Sequence, residues 1–160
     1  MNVIFGTLAA LGFTAALGVH IAALLGIPIQ DLVPQVWALH VGIFVVFIPT
    51  IIHLRRTTEE SDPLAMFRGM PVATVVTLAV LFVYAFLNFF ISLPATGGAT
   101  ADIRDGQYIL HRKGTVVREM SRTEYDAARA AQLRGFSGHW LVFYGLPAAV
   151  FLFRRPRGAA

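Results

Sequence analysis

Residues 1–30 read MNVIFGTLAALGFTAALGVHIAALLGIPIQ, and none of them carries a formal charge. Between Val3 and about Ile27 the polar side chains are Thr7, Thr14 and His20. A helix needs about 20 apolar residues to cross the hydrocarbon core of a bilayer, and this run supplies them. It is longer than the roughly 7–15-residue apolar core of a cleaved signal peptide, and Met1 and Asn2 provide no basic start. The run is therefore expected to remain as a first membrane crossing.

The same pattern recurs along the chain. Residues 32–54, 69–101 and 135–153 also lack Asp, Glu, Lys and Arg, so the 13 basic and 9 acidic side chains crowd into what is left. Hydrophobic residues make up 56% and charged ones 14%, against about 25% charged in an ordinary soluble domain. The fold class read from this is all-α integral membrane: a four-helix transmembrane bundle with crossings at about 3–27, 36–54, 71–93 and 136–153. The composition excludes a soluble enzyme. With no cysteine, it also excludes a disulfide scaffold and thiol–disulfide chemistry.

A net charge of +4 and a pI near 10.1 would point to nucleic acid in a soluble chain. Here Arg55 and Arg56 close the second apolar run and Arg154 and Arg155 close the fourth, as residues do that snorkel to headgroups. No basic stripe with stacking aromatics accompanies them, so no nucleic-acid partner is expected. Both termini and the 55–70 loop fall on one side, with Arg55, Arg56, Arg68, Arg154, Arg155 and Arg157 in short segments. That places the termini, including the basic tail 154–160, in the cytoplasm of a bacterial-type inner membrane.

The 94–138 segment is the one sizeable extramembrane piece. Pro94–Gly98 reads as a flexible exit. Residues 108–111 and 115–118 around Arg112-Lys113-Gly114 predict a β-hairpin. Ser121 and Glu124 have capping-box spacing, and Asp126 stands i+4 from Arg122. A short helix over about 122–134 follows, ended by Gly135, with Ser137 capping the last crossing. The bundle thus carries a small β-hairpin plus short helix inserted between helices three and four. Pro49 and Pro147 are expected to bend their helices. Gly18, Ala22 and Gly26 form a small-residue ridge for close helix packing.

Uncharged crossings argue against an ion-coupled transporter or an intramembrane aspartyl protease. The histidines carry the remaining interest. Counted at 1.5 Å per residue, His20, His40 and His139 lie at similar depth in the leaflet facing residues 94–138, with Asn88 near them. His40 and His53, 13 residues apart, face different ways. Such a set could bind a b-type haem, a metal ion (through His20, His40 and His139) or a quinone. The favoured reading is plainer: no cofactor, and interhelical hydrogen bonds worth about 0.6 kcal/mol each. Trp37 and Trp140 are read as an interfacial aromatic belt, and His111 as solvated. The leading function is a non-enzymatic accessory, assembly or scaffolding role, exercised through other membrane proteins or self-association. The alternative is a membrane redox or ligand-binding protein built on the histidines.

Overall fold

The structure, a computed structural model, describes residues 2–58, 64–92 and 97–154. It contains α1 (Asn2–Leu24), a one-turn α2 (Ile29–Leu32), α3 (Ala38–Thr57), α4 (Val72–Ser92), strands β1 (Thr100–Arg104), β2 (Gln107–Arg112) and β3 (Thr115–Glu119), and α5 (Arg122–Phe153). The stretches Val3–Leu24, Pro34–Thr57, Val72–Ser92 and Arg122–Phe153 are long and apolar enough to cross a membrane. Their outer surfaces keep large apolar side chains exposed, among them Val41, Phe44, Val80, Phe82 and Phe86. A water-soluble monomer rarely presents so much contiguous apolar surface.

The 32-residue α5 is the hub: α1, α3, α4, β1 and β2 all pack on it. Gly135 does not end a helix and Ser137 does not begin one. Gly135 serves instead as a point of close approach, since a Cβ there would stand 2.6 Å from Ser92 Oγ at the end of α4. α3 and α5 run through Pro49 and Pro147 without interruption.

α1 also packs through a different face from the one expected. Gly18 has nothing within 4 Å of its missing Cβ, and Gly26 adopts φ +77°. Gly26 forms a Schellman ending: its N–H donates to Ala23 O and that of Ile27 to Ala22 O. The buried ridge is Ala9, Ala16 and Ala23, a seven-residue repeat that keeps one seam against a neighbour. Gly12 adds to it, with no room for a Cβ beside the Tyr144 ring.

The outer module has one more strand than expected, an antiparallel sheet in the order β1-β2-β3. Both turns have two residues, Asp105-Gly106 and Lys113-Gly114, all at positive φ, the type I′ geometry that matches strand twist. Arg112 lies outside its turn and pairs with Thr115. Ala101 and Tyr108 pack on Tyr125 and Ala128 of α5. The capping box forms as read: Ser121 Oγ accepts from the Glu124 N–H, and Glu124 accepts from the Ser121 N–H at 2.8 Å. Asp31 of α2 pairs with Arg129 of α5 at 2.6 Å. Pro94–Thr96 of the expected exit, and the tail from Arg155 onward, lie outside the described residues.

Candidate functional site

Tyr84 and Asn88 stand four residues apart on α4, and Arg134, Ser137 and Gly138 follow helical spacing on α5, so each set shares one face. Between them comes His20 from α1, which is buried. Its Nδ1 is 2.8 Å from Ser137 Oγ and its Nε2 2.5 Å from the Tyr84 hydroxyl, and the His20 and Tyr84 rings meet edge-on. The Asn88 amide both accepts from Arg134 Nε at 2.7 Å and donates to Arg134 O at 2.9 Å. Gly138 makes this possible: a Cβ there would lie 2.6 Å from Asn88 Nδ2 and 3.7 Å from His20 Cε1.

His20 and Asn88 are thus brought to the same glycine, whereas the other two histidines go elsewhere. His40, on the outside of α3, accepts from Trp140 Nε1 at 3.1 Å. His139 Nδ1 meets Gly135 O at 2.9 Å, and its ring packs edge-on against Phe89. Among the described residues no three His, Cys, Asp or Glu side chains gather to hold a metal ion. Trp140 is no belt residue either: it is fully buried, stacked edge-on against Trp37. His111 is half-buried, with Nδ1 lacking a partner among the described residues and Nε2 3.8 Å from Asp102.

Three participants lie outside the candidate site read from sequence: Tyr84, Arg134 and Ser137, the last of which reads there as a helix cap. The i,i+4 spacing of Tyr84 and Asn88 on α4 is the signal that points to Tyr84. Ser137 beside a histidine has the composition of a nucleophile–base pair, but Ser137 has no exposed surface. The N–H groups around it lie within a continuous helix, so no oxyanion donors are left over. Of the five side chains, Tyr84 alone is exposed beyond a third of its surface, at 36%.

Next to this cluster the same three helices leave a cleft of about 410 Å³, lined by Phe13 and Thr14 of α1, Leu78 and Leu81 of α4, and Gly145 of α5 among others. α1 and α4 barely touch each other along it. Its size lies within the range of about 300–1,000 Å³ usual for ligand sites. Compared with protein-family models, curated proteins and solved structures, the chain matches none.

Proposed function

We propose that this chain is a small polytopic inner-membrane protein with a non-enzymatic accessory or assembly role, acting through other membrane proteins or copies of itself. The observation that carries this is the use made of the polar side chains: His20, Ser137, Asn88 and Arg134 are spent on one another, binding α1 and α4 to α5. Hydrogen bonds of this kind fix a bundle rather than turn over a substrate. The arginine flanks of the apolar runs support cytoplasmic termini and a sheet on the opposite face. Visible spectroscopy, metal analysis and cross-linking in native membranes test the proposal together. The expected result is a colourless, metal-free protein whose sheet module cross-links to a defined membrane protein. A Soret band or stoichiometric metal would overturn it.

One observation favours a second reading, a membrane ligand-binding protein: Tyr84, a residue 36% exposed and bonded to His20, stands one helical turn from Leu81, which lines an apolar cleft.

A further inference from the structure

We propose that the α1–α4–α5 seam binds a quinone carrying a hydrocarbon tail, ring against Tyr84 and tail in the cleft, in both its oxidised and reduced forms. This rests on the second, ligand-binding reading above.

The cleft suits a hydrocarbon chain. Phe13, Leu78 and Leu81 line it, and two of its three threonine hydroxyls are bonded to their own helices: Thr14 donates to Ala10 O and Thr77 to Ala73 O. In a bilayer no water competes for such a cleft.

The head group follows from depth and from the hydrogen-bond chain. Tyr84 is one helical turn beyond Leu81, which lines the cleft. It stands twelve residues past Val72 and eight short of Ser92, or about 18 and 12 Å from the two ends of α4. A phosphate or other charged head would be costly at that depth, so the head is neutral. Tyr84 ends a relay whose two states are both satisfied. If Ser137 donates to His20 Nδ1, then Nε2–H donates to the phenol oxygen and the phenol O–H is free to donate outward. If Ser137 instead donates to Arg134 O, at 3.4 Å, then Nδ1–H donates to Ser137, the phenol donates to Nε2, and its oxygen is left to accept. The Ser137 rotor and the His20 tautomer thus switch Tyr84 between donor and acceptor. A quinone carbonyl needs a donor and a quinol hydroxyl an acceptor. Haem and metals fit less well, because both imidazole nitrogens already have protein partners.

The test uses the full chain in phosphatidylcholine nanodiscs, titrated by calorimetry with decylubiquinone, anaerobically with decylubiquinol, and with 1-decanol as a tail-only control. Both quinone forms should saturate at one site per chain. Tyr84→Phe should weaken each about tenfold, the size of one ligand hydrogen bond. Gly145→Leu, projecting into the cleft, should weaken both at least as much, while Gly145→Ala should not. A cooperative thermal melt in each variant certifies its fold. Saturable binding that Tyr84→Phe leaves intact, that decanol matches, or that is confined to one redox form would overturn the quinone assignment and leave a ligand cleft standing. No saturable binding of any probe to the folded chain would overturn the ligand-binding reading with it.

Discussion

The seam between α1, α4 and α5 has two ends built from the same three helices. Around Gly138 it is shut: His20, Tyr84 and Asn88 reach across, and a Cβ on the glycine would stand 2.6 Å from the Asn88 amide. Two turns further along α5, around Gly145, it is open: a Cβ there would find Phe13 at 3.5 Å and Leu78 at 3.7 Å, ordinary contact distances. What separates the ends is where polar groups send their hydrogen bonds. At the shut end they cross between helices; at the open end Thr14 and Thr77 bond their own backbones. Apolar burial drives little helix association where lipid is as apolar as leucine, so a few interhelical bonds and tight glycine contacts decide which helices close on each other.

The largest effect should come from crowding the shut end. Gly138→Val must displace Asn88 from the α5 backbone, and overpacking of that kind costs about 3 kcal/mol, roughly 6–12 °C in melting temperature. A smaller loss in detergent-solubilised protein than for the same change at exposed Gly18 would erase the contrast between the two ends.

Next is Asn88→Ala, which removes two bonds and leaves the Arg134 Nε without its partner, at a cost of about 1–2 kcal/mol. A cycle with Arg134→Met should show a coupling near 1 kcal/mol. Additive losses would mean that the pair does not hold α4 to α5.

How far the sequence could carry such an argument depends on the kind of signal. Charge-free runs mark where helices lie, because a charge in hydrocarbon is expensive wherever it points. Local chemistry is legible too: Ser121 with Glu124 as a capping box, and a turn ending at Gly114, though it is one residue shorter than Arg112-Lys113-Gly114. Helix rotation is not. On α1 every face is apolar, so Gly18–Ala22–Gly26 looks as good a packing ridge as Ala9–Ala16–Ala23, and only contact with α5 separates them. For the same reason depth alone groups His20, His40 and His139, while rotation sends them to Ser137, Trp140 and Phe89. Gly135 reads as a helix stop because a glycine's close-packing role is visible only when its neighbour, here Ser92, is in place. β1 escapes notice because Ala101 and Asp102, both poor strand formers, interrupt Thr100–Arg104.

A paired hydroxyl comparison sharpens the difference at lower cost. Ser137→Ala leaves His20 Nδ1 buried without a partner and should destabilise by about 1–2 kcal/mol. Thr77→Val keeps the shape and removes a hydroxyl bonded only to its own helix, and should stay within about 0.5 kcal/mol. Urea or thermal melts of the two variants side by side decide it. Equal effects would show that hydrogen bonds crossing between helices count for no more here than those within one.

The smallest effect should have the opposite sign. Gly145 sits inside α5, where glycine is roughly 0.8–1.0 kcal/mol less favourable than alanine. At the shut end that cost is offset by the close approach of Asn88. At the open end nothing within 3.4 Å asks for a glycine, so Gly145→Ala should raise stability by about 0.5–1 kcal/mol, part of it through a less flexible unfolded chain. The methyl group also narrows the cleft between Phe13 and Leu78 and adds apolar contact there. The measurement is the melting temperature of the variant beside that of Gly138→Ala, which should fall. If both substitutions destabilise, α1 and α4 close on α5 along their whole length and the cleft is not an open feature of the bundle.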